Sequence, residues 1–123
     1  MKELSVNRRY TSYQQWVVID EKASFITGIT EEAQKIIGRM VYLTLPKMGK
    51  HYEMNEPCGF METHKTAIDI LMPMAGNIVE INTKIVAHPE MINQSPYEQG
   101  WLFRFCADDN SIWNQLAVIN ETA

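Results

Sequence analysis

Apolar and polar positions alternate in short runs along this chain, and the runs are interrupted by glycine and proline. Trp16-Val17-Val18-Ile19 and Ser24-Phe25-Ile26 flank the polar Asp20-Glu21-Lys22-Ala23, a spacing that predicts an antiparallel hairpin. The period then changes. Thr30 suits an N-cap, Glu31 and Glu32 suit the positive end of a helix dipole, Ala33, Ile36 and Ile37 form one apolar face, and Gly38 ends the helix. Residues 40–45, 57–62, 68–72, 77–81 and 101–105 are further strand-length runs, punctuated by Pro46, Gly49, Pro73 and Gly76. Pro89 opens a segment long enough for one helical turn, and Asp109 or Asn110 can cap a last helix carrying Ile112, Trp113 and Leu116. Short strands with frequent turns predict a mostly β, sandwich or barrel-like core, with the helices as peripheral covers. Neither a linker nor a sustained repeat is visible, so residues 1–123 read as a single domain.

Within this pattern Glu62-Thr63-His64-Lys65-Thr66-Ala67-Ile68-Asp69 is a polar stretch between two strand-like runs. Pro57-Cys58-Gly59-Phe60-Met61 leads in, and Ile68, Ile70 and Met72 share one face on the way out, because side chains in a strand alternate. The stretch reads as a hairpin tip that presents the amine of Lys65 to solvent. Most exposed lysines do no chemistry, so the tip alone decides nothing. Gly49 stands sixteen positions before the lysine and Gly76 eleven after it, each beside a strand-like run, where a turn with φ > 0 would need glycine.

Composition narrows the classes. With 123 residues, 46% of them apolar and 21% charged, the chain can bury its own core and is not a disordered segment. No run approaches the ~20 apolar residues of a membrane span. Eleven basic against fifteen acidic side chains give a formal charge of −4, which offers no support for nucleic-acid binding and favours protein partners. Met1-Lys2-Glu3-Leu4 has the features of neither a signal nor a transit peptide, so a cytoplasmic location is expected. Cys58 and Cys106 lie in apolar strand-like runs and read as core or near-core thiols, and the eight methionines read as packing. The spacings of the cysteines with His51, His64 and His88 match no usual zinc pattern, so no metal is expected. No nucleophile–base pair or carboxylate dyad marks an enzyme.

Lys65 with Glu62, Gly49 and Gly76 resembles the framework of the biotinyl and lipoyl carrier domains. A biotin carrier would have methionines on both sides of the lysine, where this chain has His64 and Thr66. Tyr10 to Trp16, Gly28-Ile29-Thr30-Glu31-Glu32-Ala33-Gln34, Gly38 through Val41 to Leu45-Pro46, Gly76-Asn77-Ile78-Val79-Glu80-Ile81-Asn82 and Asn93-Gln94-Ser95-Pro96-Tyr97-Glu98-Gln99-Gly100-Trp101-Leu102 resemble, in the same order, the H protein family of the glycine cleavage system. The resemblance implies a barrel-sandwich hybrid fold and lipoate in amide linkage on Lys65, attached by a lipoate-protein ligase or lipoyl transferase that Glu62 helps to recruit. It implies a monomeric carrier without catalytic residues. Its arm would shuttle an aminomethyl group and reducing equivalents between glycine decarboxylase, aminomethyltransferase and dihydrolipoamide dehydrogenase. Asp69 matches a family aspartate that faces the loaded arm.

The chain also departs from the family pattern. Gln14-Gln15 precede Trp16 where members usually have His-Glu, whose glutamate holds the charged aminomethyl group. Tyr13 aligns with a serine of the same parking site, His64 and Thr66 replace small residues beside the lysine, and the C-terminal helix is short. These differences leave open an H-like lipoyl carrier of another pathway, such as sulfur oxidation with heterodisulfide-reductase-like complexes, or a lipoyl relay or redox defence. An unmodified interaction domain is a third reading, against which the retention of Glu62, Gly49, Gly76 and Lys65 argues.

Overall fold

The computed structural model describes residues 8–20 and 22–118. Along the chain they form β1 (Arg9–Tyr10), β2 (Gln15–Ile19), β3 (Phe25–Ile29), α1 (Glu31–Ile37), β4 (Met40–Thr44), β5 (His51–Tyr52), β6 (Pro57–Thr63) and β7 (Ala67–Leu71). There follow β8 (Gly76–Ile81), α2 (Thr83–Ala87), α3 (Glu90–Gln94), β9 (Phe103–Ala107) and a 3-10 helix at Asn110–Gln115. The expectation about Met1-Lys2-Glu3-Leu4 lies outside the described residues, as does Glu21 of the predicted hairpin loop.

Two antiparallel sheets result, one six-stranded in the order β1-β2-β3-β9-β8-β5 and one three-stranded in the order β4-β6-β7. Alternation makes one side of each apolar. Val17, Phe25, Ile78, Phe103 and Phe105 of the large sheet share a buried cluster with Leu43, Met61 and Ile70 of the small one. This is the sandwich expected of a barrel-sandwich hybrid. A second cluster on the outside of β2 and β3 gathers Tyr10, Trp16, Val18 and Ile26 under Tyr97 and Trp101, and the Trp16 indole N–H donates to the carbonyl of Pro96 at 3.0 Å.

Helix α1 has the predicted caps: the Thr30 hydroxyl accepts from the Ala33 N–H, and Gly38 follows the last turn at φ +88°. Its predicted face is narrower than Ala33, Ile36 and Ile37. Ala33 and Ile37, one turn apart, are buried, whereas Ile36 is rotated off that line and is 65% exposed. Cys58 is buried as expected, and burial pushes its thiol up to about 12. Cys106 is neither a core nor a near-core thiol: in β9, Phe103 and Phe105 point inward, which turns Cys106 outward into solvent. The closing helix takes the tighter 3-10 form, with the Asp109 side chain accepting from the Ser111 N–H. Helix α2 and the two-residue strands β1 and β5 were not foreseen.

Strand β5 is tied to the end of β9 by His51, whose Nε2 lies 2.7 Å from a carboxylate oxygen of Asp108. That hydrogen bond raises the His51 pKa above the usual histidine value. A raised histidine stabilises the fold below its unfolded pKa, and this contribution is lost as pH rises through the folded one. In an NMR titration, Asp108→Asn should return the His51 midpoint toward lower pH, and an unmoved midpoint would remove this assignment.

Candidate functional site

The β6–β7 hairpin ends in the exposed tip His64-Lys65-Thr66, and Thr63 builds that turn. The buried Thr63 hydroxyl accepts from the N–H groups of Lys65 at 3.1 Å and Thr66 at 3.0 Å, while the Thr63 N–H donates to the Thr66 carbonyl at 2.8 Å. Two backbone donors that would point at open solvent are thereby satisfied inside the turn. The amine of Lys65 has no ion pair or hydrogen bond among the described residues.

The tip leans on the C-terminal end of α1. The His64 N–H donates to the Arg39 carbonyl at 3.2 Å, and the Arg39 N–H donates back to His64 Nδ1 at 3.2 Å. A backbone N–H can only donate, so Nδ1 is the acceptor in this contact. Gly38 makes room for this clasp. A Cβ there would sit 2.7 Å from His64 Cε1 and 3.4 Å from Lys65 Cδ. His64 is therefore a bracket for the lysine-bearing turn. The asparagine Oδ1 occupies nearly the place of histidine Nδ1, and the glutamine oxygen does not. His64→Asn should thus keep the Arg39 amide protected from hydrogen exchange, and His64→Gln should speed its exchange by roughly fivefold, the equivalent of one hydrogen bond of about 1 kcal/mol. Equal exchange in the two variants would dismiss the clasp.

The pairings Glu62↔Ala67, Phe60↔Asp69, Tyr42↔Glu62 and Thr44↔Phe60 put these six side chains on one side of the three-stranded sheet. All six are exposed, whereas Leu43, Met61, Thr63 and Ile70 face the core. Glu62 and Asp69 are thus brought to the same outward face beside Lys65. Gly49 and Gly76 are not part of that hairpin. Gly49 precedes β5 and donates to the Ile78 carbonyl at 2.8 Å, and Gly76 pairs with Tyr52 and Ala107 inside the six-stranded sheet. Gly49 has the expected positive φ, +79°. The expectation of a φ > 0 turn fails at Gly76, where glycine is needed for a different reason: a Cβ would stand 2.1 Å from the carbonyl oxygen of Cys106.

Gln15 and Tyr13 both turn toward the end of β7. Gln15 is 3% exposed. Its Nε2 donates to the Leu71 carbonyl at 3.1 Å and to the Thr27 hydroxyl at 3.2 Å, and its Oε1 accepts from the Leu71 N–H at 3.0 Å. The amide therefore pairs with the outer edge of β7 as a neighbouring strand would, stitching the small sheet to β2. Both of its N–H bonds are used within the fold. The Tyr13 hydroxyl donates to the Met72 carbonyl at 3.3 Å, and burial raises its pKa. Sequence reasoning passed over Tyr42 and Phe60, although alternation opposite Leu43 and Met61 would have placed both outward. No three His, Cys, Asp or Glu side chains among the described residues are grouped as a metal ion would require.

Comparison with known proteins gives one consistent result. The family described as "Glycine cleavage H-protein" matches residues 8–123. A glycine cleavage system H protein of Edwardsiella ictaluri is 41% identical over 109 residues, 89% of this chain and 85% of that protein. One from Herpetosiphon aurantiacus is 43% identical over 96 residues, 78% of this chain and 74% of that protein. The crystal structure of a glycine cleavage system H protein from Mycobacterium marinum superposes with a TM-score of 0.78 at 31% identity, covering 89% of this chain and 98% of that one.

Proposed function

The chain belongs to the glycine cleavage H-protein family, and we propose that Lys65 carries lipoate in amide linkage and presents it in turn to the enzymes of glycine cleavage. The observation that carries this reading is the Lys65 amine, exposed and without a partner among the described residues, at the end of a turn braced by Thr63 and His64. It fits an acylated lysine, because no ion pair among the described residues has to be broken to form the amide. When bound, the group supplies a dithiolane whose S–S bond opens to two thiols, which can hold a one-carbon unit or pass electrons. The protein supplies position. Thr63 holds the turn, His64 fixes it to α1, and Glu62 and Asp69 mark the face beside it. Acylation removes one positive charge and takes the formal charge from −4 to −5 (−4 − 1).

On this reading the chain is a substrate for its partners: a lipoate-protein ligase or lipoyl transferase first, then glycine decarboxylase, aminomethyltransferase and dihydrolipoamide dehydrogenase. The test is exchange of the glycine carboxyl group with bicarbonate by the decarboxylase. The lipoylated protein should support exchange and the unmodified protein should not. A lipoylated protein that supports none would instead point to a carrier of another pathway, and the occupied Gln15 amide is the observation that would favour that outcome.

A further inference from the structure

Asn93 lies on α3, distant from Lys65 in sequence, yet its side-chain amide closes the outer edge of the segment that meets the lysine tip. Its Oδ1 accepts from the Met40 N–H at 2.8 Å, and its Nδ2 donates to the Gly38 carbonyl at 2.9 Å and to Gln34 Oε1 at 3.1 Å. Backbone groups of successive residues in an antiparallel strand point to opposite neighbours. The N–H and C=O of Arg39, between those two residues, therefore point the other way, and both are bonded to His64. Arg39 faces His64 one step beyond the pair Met40↔Thr63, so the clasp prolongs the β4–β6 ladder, with His64 Nδ1 in place of a backbone carbonyl. Gly38-Arg39-Met40 is thus gripped from both sides, by Asn93 and by the residue next to Lys65.

A carboxamide suits this place because it offers a donor and an acceptor side by side, as a neighbouring strand would. Gln15 does the same at the opposite edge of the sheet, on Leu71 of β7. A carboxylate could not donate to the Gly38 carbonyl, and an apolar side chain would leave that carbonyl and the Met40 N–H without these partners. From this arrangement we propose that Asn93 is a positioning residue for Lys65: it presets Gly38-Arg39-Met40 so that Arg39 holds His64, and thereby sets where the amine is presented. The inference rests on the lipoyl reading of Lys65 and deepens it, since it names a residue outside the hairpin that fixes the hairpin's tip.

The test joins amide hydrogen exchange in the unmodified full chain to lipoate attachment by a lipoate-protein ligase at varied carrier concentration. In Asn93→Ala the His64 amide, which is not bonded to Asn93, should exchange about fivefold faster, as for one lost hydrogen bond. In His64→Gln the ring bond is already absent, so adding Asn93→Ala should leave the Arg39 amide within about twofold of the single variant. Asn93→Asp keeps the acceptor for Met40 without the donor to Gly38, so it should fall between wild type and alanine, and it supplies the comparison if the alanine variant does not fold. In attachment, the Asn93 variants should raise KM for the carrier about threefold and hold kcat within about twofold, since the reacting amine is unchanged and only the share of chains with the tip in place falls. Unchanged His64 exchange, or effects of the two substitutions that simply multiply at Arg39, overturns the relay and leaves Lys65 as the site. Coupled exchange with an unchanged KM overturns the positioning role. Coupled exchange in a wild-type chain that takes up no lipoate overturns the lipoyl reading instead, and the role of Asn93 in presenting the arm falls with it.

Discussion

Gly76→Ala should cost the protein at least about 3 kcal/mol, at the severe end of single substitutions. The added methyl group meets the Cys106 carbonyl oxygen at 2.1 Å and the Cα of Ala107 at 2.9 Å, well inside van der Waals contact. Neither neighbour can yield cheaply, because both are backbone atoms of β9, a strand paired with β8 on one side and β3 on the other. Gly49→Ala is the control. Open space surrounds Gly49, so its only cost is an L-residue at φ +79°, about 1–2 kcal/mol. Urea unfolding should rank the two in that order, and a Gly49 variant as damaged as the Gly76 variant would show that the packing at β8 has been misread.

Gln15→Glu should destabilise the fold by about 2–4 kcal/mol at neutral pH. The carboxylate loses the two donations to the Leu71 carbonyl and the Thr27 hydroxyl, and it places a negative charge against that carbonyl in a site where the present side chain is 3% exposed. Such a glutamate has its folded-state pKa raised by burial, so the folded state binds the extra proton and the variant should recover stability as pH falls through that value. Thermal midpoints that match the wild type at pH 7 would contradict the pairing. In this chain, residue 15 holds β7 against β2, and any change there acts on the strand that runs back to Lys65.

The lysine tip and α1 were legible because their signals are local. Period-two alternation on both sides of residues 64–66 makes a hairpin, and Thr30 and Gly38 bound a helix whatever surrounds it. The contact between Gln15 and Leu71 joins positions 56 residues apart, and nothing in either segment states that the two sheets meet there. Gly76 looked like a turn glycine because only its neighbours in the chain were visible, whereas its constraint comes from β9. Helix α2 escaped for a related reason: the Asn82 side chain, its natural cap, donates instead to the carbonyls of Gln99 and Trp101. Ile36 and Cys106 are errors of another kind. The period was read correctly, but which residues fell on the buried side was settled by packing partners distant in sequence.

Lipoate is expected on one exposed amine, that of Lys65. Intact mass spectrometry after co-expression with a lipoate-protein ligase tests it most directly. The wild-type protein should gain one lipoyl adduct, and Lys65→Arg should gain none while keeping the wild-type thermal midpoint, since the Lys65 side chain has no partner to lose among the described residues. An adduct that persists in Lys65→Arg, or a wild-type protein that takes up none, would contradict the account.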